Sequence, residues 1–309
     1  MADAKRERVT QATGQDLNAL ATVTRREHVP LGILYMVGAT LVFAVSSAVS
    51  KWLVDTYPVG EVLFTRAGVS LIACALFILP RTGLAVFQTQ RRRDHVMRSV
   101  SQAVSQTFLI IAFSMMPLAS AIAINFSAPL FTALVSILLL KEQVGFARWF
   151  ALIVGFLGVL IVAHPSAETI QLGALFALVN AMIYGSVTAA VRSMTATETA
   201  ETLLMYQLLL ITAFFSLLLP FGVAVPTWAD AGLMLLNGLT NAVGQYWWTR
   251  ALHLAPASAV TPFFYLSLVW AAVLGFVVWG DVPSAALLAG SAVVVGSGLF
   301  LVWRESARV

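Results

Sequence analysis

The chain has 309 residues, of which 60% are hydrophobic and only 10% charged, with a mean hydropathy of +0.89 and a net charge of +4. A water-soluble domain is nearer half apolar and a quarter charged, so this composition excludes an ordinary soluble protein and makes lipid part of the solvent. The basic residues are not gathered on an amphipathic soluble unit, which argues against nucleic acid, and the single cysteine, Cys74, rules out an internal disulfide or a thiolate metal site.

Residues 1–30 form a charged, polar tail without an apolar h-region, so they read as a cytoplasmic extension and not as a cleaved signal. Apolar windows of about twenty residues follow, the length that crosses the hydrocarbon layer at 1.5 Å per residue. They lie at 31–53, 59–80, 96–115, 118–140, 146–164, 170–191, 201–221, 228–250, 256–279 and 284–303. Short gaps with turn signals such as "TYPVG" and "WGDVPS" separate most of them, and only "RTGLAVFQTQRRRD" is long. Residues 304–309 are a second polar tail. The fold class expected is an all-α polytopic membrane protein with ten transmembrane helices. With the N-terminus inside, every Lys and Arg except Lys51 and Arg66 falls on the cytoplasmic side. That bias predicts a multi-pass protein of a bacterial inner membrane with both termini cytoplasmic.

An internal repeat changes the reading of the whole chain. Residues 31–51, "LGILYMVGATLVFAVSSAVSK", align without a gap on residues 172–192, "LGALFALVNAMIYGSVTAAVR", pairing Gly32 with Gly173, Phe43 with Tyr184 and Lys51 with Arg192. Further along, Gln102 pairs with Asn241, Gln106 with Gln245, Pro117 with Pro256 and Glu142 with Asp281. Residues 31–164 and 165–303 therefore read as two copies of one five-helix unit. Five is odd, so the second copy enters the membrane in the opposite sense. Two inverted five-helix repeats around a central cavity, with a substrate site near the midplane, are the architecture expected.

The polar positions inside spans come next. Asn237, Asn241 and Gln245 recur every four residues and so share one helical face, as do Gln102 and Gln106 at the repeat-related positions. Amides in hydrocarbon need partners or water. They serve either as interhelical glue or as the polar wall of a cavity, and their recurrence in both halves favours the wall. Asn180, Tyr184 and Thr188 form another row at spacing four, and Ser46, Ser47 and Ser50 fit close packing and cavity lining equally. Asn125 precedes Pro129, and Pro262 follows the same pattern in the other half, both able to free backbone carbonyls.

Tyr246, Trp247, Trp248, Phe263, Phe264 and Tyr265 fit an interfacial belt or an apolar wall for a solute, whereas Trp228, Trp279 and Trp303 sit where a belt belongs. Arg66 reads first as a structural clamp, paired with Glu61 or with a helix C-terminal carbonyl, and second as a substrate ligand. His253 reads as a solvated or capping residue. All acids lie in tails, loops or span ends, so no mid-membrane carboxylate relay is present, and no nucleotide motif appears. No cofactor, metal or catalytic group is expected.

The series "ALHLAPASAVTPFFYLSLVWAAVLGFVVWGDVPSAALLAGSAVVVGSGLFLVW", with its first-half counterpart "AFSMMPLASAIAINFSAPLFTALVSILLLKEQVGFARWFALIVGFLGVLIV" and "PVGEVLFTRAGVSL", resembles the EamA-type repeat of the drug/metabolite transporter superfamily. Asp281 departs from the glutamate more usual there. The resemblance covers about residues 31–303 and implies ten helices, a cavity between the halves, and export of amino acids or related metabolites. The expectation is a secondary transporter exporting aromatic and other neutral amino acids by alternating access. Gln102, Gln106, Asn241 and Gln245 would hold the zwitterion, with Tyr184, Trp248 and Tyr265 at the side chain and Asn125 and Ser46 on the cavity wall. Export of drugs or other small metabolites is the alternative, and a membrane-embedded enzyme a more distant one. The expected partners are a small-molecule substrate and the lipid bilayer, with no nucleic acid; a monomer suffices.

Overall fold

The computed structural model describes residues 28–128, 131, 146–162, 168–194, 197–254 and 263–306. These residues form ten α-helices and two 3₁₀ turns, with no strand among them. The helices are α1 (Val29–Val54), α2 (Val59–Thr82), α3 (Arg92–Met115), α4 (Leu118–Asn125), α5 (Phe146–Val162), α6 (Glu168–Met194), α7 (Ala200–Ser216), α8 (Trp228–Leu254), α9 (Leu266–Trp279) and α10 (Ala285–Ser306). Among the described residues, four stretches are long and apolar enough to cross a membrane by length and composition: Pro30–Val54, Val59–Phe87, Arg92–Met115 and Ala200–Phe221. Apolar runs in α6, α9 and α10 are shorter. Pro129, Glu142, Pro256 and Pro262 lie outside the described residues, as do the side chains of Thr188, Arg192 and His253.

Local chemistry sets the helix ends. Thr199 Oγ1 accepts from Thr202 N at 3.2 Å at the start of α7, and Ser284 Oγ accepts from Leu287 N at 3.1 Å ahead of α10, each satisfying a first-turn donor. Gly280, at φ 73°, closes α9 in the left-handed region, which only glycine enters without a Cβ penalty. The helix α3 begins earlier than its apolar run: Arg91 pairs with Asp94 at 2.7 Å, and Arg98 is held by Leu203 O and Gln207 of α7.

Large apolar side chains face outwards. Leu34, Ile72, Leu76, Val277 and Leu288 are all more than half exposed, while Ala39, Ala103, Ala121, Ala177 and Ala271 are closed to solvent space. Big aliphatics outside and small residues within suit lipid contact and close helix packing. Gly238 marks one such approach: a Cβ there would collide with the Val69 side chain of α2.

Helix pairings exchange under the repeat. The helix α1 packs on α8 and α6 on α3; α2 meets α7 and α8; α7 meets α2 and α3; α5 meets α10; and α4 lies against α6 and α9. Directions differ between copies. Gly173, near the start of α6, adjoins Met115 and Met116 at the end of α3, where Lys51 of α1 also arrives. His28 N donates to Leu254 O at 3.0 Å, which places the end of α8 beside the start of α1. Thus α6 runs against α1, and α8 runs against α3.

Candidate functional site: a polar strip across three helices

Arg66 and Ser70 stand four residues apart on α2 and share a face. Arg66 Nη2 donates to Gln106 Oε1 of α3 at 2.6 Å. Ser70 Oγ donates to Gly238 O of α8 at 2.8 Å and accepts from Asn241 Nδ2 at 2.9 Å. Gln106, Arg66, Ser70 and Asn241 therefore make one polar strip over α3, α2 and α8, and Gln102 and Gln245 follow one turn along α3 and α8, toward the same side because those helices run in opposite directions.

The strip keeps unused hydrogen-bonding capacity. Gln102 is 9% exposed, and its amide takes no protein partner among the described residues yet stays within reach of water. Half-buried Gln245 likewise makes no side-chain hydrogen bond to protein among the described residues. A polar group held inside an apolar bundle in this state is costly unless water or a ligand completes it.

Other amides are already spent on protein. Ser46 Oγ donates to Asn237 Oδ1 at 2.6 Å, and Asn237 Nδ2 donates to Ser50 Oγ at 2.9 Å, joining α1 to α8. Ser105 Oγ donates to Asn180 Oδ1 at 2.6 Å, and Asn180 Nδ2 donates to Asn125 Oδ1 at 2.6 Å, joining α3, α6 and α4. Asn237 and Asn180 are almost wholly buried. Ser46 and Asn125 thus lie in the seams with them, apart from the open strip. Tyr184 is half-buried one turn beyond Asn180.

The aromatic residues divide into two settings. Trp248 packs with Met36, Ala251, Phe263 and Phe264 between α1 and α9. Tyr265 meets the Phe126 ring edge-on at 5.1 Å, and Phe264 meets the same ring at 5.9 Å. Tyr265 also lines an apolar groove of about 500 Å³ between α9 and α10, with Leu268, Val269, Leu287 and Ser291. None of the strip amides lines that groove.

Arg66 and Glu61 do not form the clamp that their shared helix suggested. Five residues of α-helix turn the two side chains well apart around the axis, and each finds a different neighbour. Glu61 Oε2 accepts from Ala224 N at 2.9 Å and pins the segment between α7 and α8, while Arg66 goes to Gln106. The helix-terminal carbonyls instead belong to Lys51, whose Nζ donates to Phe113 O at 2.7 Å and Met116 O at 3.0 Å where α3 ends. Its ammonium also lies 5.4 Å from the Trp279 ring centroid. Cations are favoured at such carbonyl-rich ends. At the opposite end of the bundle Arg98 reaches Leu203 O and Gln207 Oε1 of α7, and His95 stacks on Tyr206 at 4.4 Å.

Ser70, Ser105 and the role of Lys51 escaped sequence reasoning. Ser70 carried one signal, its spacing of four from Arg66, but a lone serine in a span reads as packing until its neighbours are known.

A bundle of apolar helices around an incompletely satisfied polar strip defines a membrane transporter of small molecules. A profile of the EamA-like transporter family matches residues 30–163 and again 171–303, and the chain belongs to that family. It is 32% identical to a riboflavin transporter of Rhizobium johnstonii over 297 residues, covering 95% of this chain and 98% of that protein. An S-adenosylmethionine uptake transporter of Rickettsia bellii is 25% identical, with 89% and 94% covered. The pseudopaline exporter CntI of Pseudomonas aeruginosa is 28% identical, with 85% and 93% covered. A solved crystal structure shares the fold at a TM-score of 0.61 and 21% identity, over 88% of this chain and 98% of that one.

Proposed function

We propose that the chain is a secondary carrier that moves a small aromatic metabolite across the bacterial inner membrane by alternating access between its two five-helix halves. The observation that carries this is the strip of Gln102, Gln106, Arg66, Asn241 and Gln245, whose spare donors and acceptors need a ligand or water. The opposed directions of α1 and α6, and of α3 and α8, support an inverted repeat, the symmetry that lets two equivalent states open to opposite sides. Trp248, three residues beyond Gln245 on α8 and packed with Phe263 and Phe264, would supply a stackable wall.

Two solutes fit this reading. Riboflavin, a planar heteroaromatic rich in acceptors, is supported by relatives named as riboflavin transporters from Rhizobium johnstonii and, at 29% identity, Vibrio cholerae. Outward movement of aromatic and other neutral amino acids is supported by the export role that the EamA-type resemblance implies and by the buried cation in the strip. Proteoliposomes of purified protein, offered riboflavin or labelled phenylalanine in parallel, test both. Saturable uptake of at least one solute above protein-free vesicles is expected; folded protein that moves neither would refute the aromatic-carrier reading. Gln245→Ala is expected to slow uptake about tenfold or more, about 1.4 kcal/mol of lost interaction, because no protein group replaces its amide.

A further inference from the structure

Arg66 is the one residue of the strip that carries charge. It lies two turns into α2 and is 9% exposed, and no carboxylate stands within ion-pair distance of it among the described residues. Its single side-chain hydrogen bond goes to the neutral Gln106 oxygen. A guanidinium has five N–H donors, and here Nε and Nη1 take no protein acceptor while remaining within reach of water, unlike Arg98 Nε, which is sealed without a partner. The other deep cations are engaged differently: Lys51 caps the carbonyls that end α3, and Arg98 is tied to α7. A buried charge is retained only where something compensates it. Among the described residues Arg66 holds its place without a protein counterion, on the strip that carries the open amides.

We propose that Arg66, steadied by Gln106, is a subsite for an anionic oxygen group, a carboxylate, on the transported solute. This rests on the carrier reading above and narrows it to aromatic solutes that bear an acidic group, zwitterionic amino acids included. The planar fork of the guanidinium takes two carboxylate oxygens at once, whereas a lysine ammonium offers only a point charge. Gln106 Oε1 holds one hydrogen of Nη2 and fixes the plane, leaving the second Nη2 hydrogen, together with Nε or Nη1, to the solute. Gln102, one turn along α3 from Gln106, and Asn241, which bonds Ser70 one turn along α2 from Arg66, would bind the remaining polar atoms.

Binding of phenylalanine and of phenylalaninamide, which differ only in the carboxylate, is measured on the full-length protein in detergent by tryptophan fluorescence and calorimetry. Wild type is expected to bind phenylalanine at least tenfold tighter than the amide. Arg66→Gln should erase that preference, chiefly by weakening phenylalanine binding, Arg66→Lys should retain part of it, and Gln106→Ala should weaken it without removing it. Thermal melting shows which variants are folded; if Arg66→Gln is not, the Lys and Ala variants decide. Equal wild-type affinity for the two compounds, or full discrimination surviving in Arg66→Lys and Gln106→Ala, overturns the subsite. Riboflavin taken up by wild type with no binding of phenylalanine also overturns the subsite but leaves the aromatic carrier standing. Failure to bind or move any of the three solutes overturns both.

Discussion

The seam between α1 and α8 and the seam between α3 and α6 occupy corresponding places in the two halves, yet they are closed by different chemistry. At the place of Ser105 in the first half, the second carries Gly244, and the Phe43 ring packs so tightly there that a Cβ would meet it at 2.7 Å. At the place of Asn180 the other seam has Ala39, which is fully buried. One seam is therefore dry at the level where the other holds the Ser105–Asn180 bond. Among the described residues, side-chain hydrogen bonds enter the α1–α8 seam only nearer the end where Lys51 lies, through Asn237 with Ser46 and Ser50. Two halves related by repetition thus supply one backbone plan and two kinds of contact.

Gly238 offers the harshest way to break this arrangement. It lies one residue beyond Asn237, where α8 touches α2. Gly238→Val is expected to force those helices apart at Val69, at about 1–3 kcal/mol or more from overpacking, with a large fall in the melting temperature of the detergent-solubilised protein. A variant that melts with wild type would show that the close approach is dispensable.

Next in size are the seam amides. Asn237→Leu removes the acceptor of Ser46 and the donor to Ser50, and Asn180→Leu removes the acceptor of Ser105 and the donor to Asn125. Each is expected to destabilise by about 1–3 kcal/mol, the usual cost of leaving buried polar groups unsatisfied. Equal losses would mean that the two seams bear similar load despite their chemistry. Thermal melts that show one loss and not the other would assign the stabilising seam directly.

Gln245→Ala sharpens the contrast from the other side. Since its amide bonds no described protein group, its melting point should stay within about 0.5 kcal/mol of wild type in stability while uptake collapses. Matching losses of stability and transport would move Gln245 into the class of Asn237.

The smallest effect lies outside the spans. Tyr57, between α1 and α2, donates to Asp230 Oδ2 at 2.8 Å, and this bond to a carboxylate raises the phenol above its ordinary range. A raised folded value means that the stabilisation is fully present below the ordinary phenol range and is lost as pH rises through the folded value. An alkaline step in thermal stability is expected for wild type and should vanish in Tyr57→Phe; its persistence would assign the step to another group.

Much of the scaffold was legible without coordinates, for definite reasons. A run such as Val59–Thr82 has no stable place in water and, in lipid, must satisfy its backbone internally, so length and apolarity suffice to specify a helix. The pairing of Gln106 with Gln245 was equally legible, because repetition is a property of the string. Which amides are spent was not. Asn237 and Gln245 share a face and a chemistry, and only the arrival of Ser46 and Ser50 from α1 separates glue from open wall. Arg66 shows the same limit: Glu61 lies near in sequence, but the helical turn directs Arg66 to Gln106, forty residues on.

The sequence by itself determined the solvent of this protein, its helices and its twofold plan, since these follow from hydrophobicity, length and repetition along one chain. The tertiary structure alone decided which polar groups satisfy one another and which remain for a solute, because hydrogen bonding depends on distances of about 3 Å between helices that no spacing along the chain encodes.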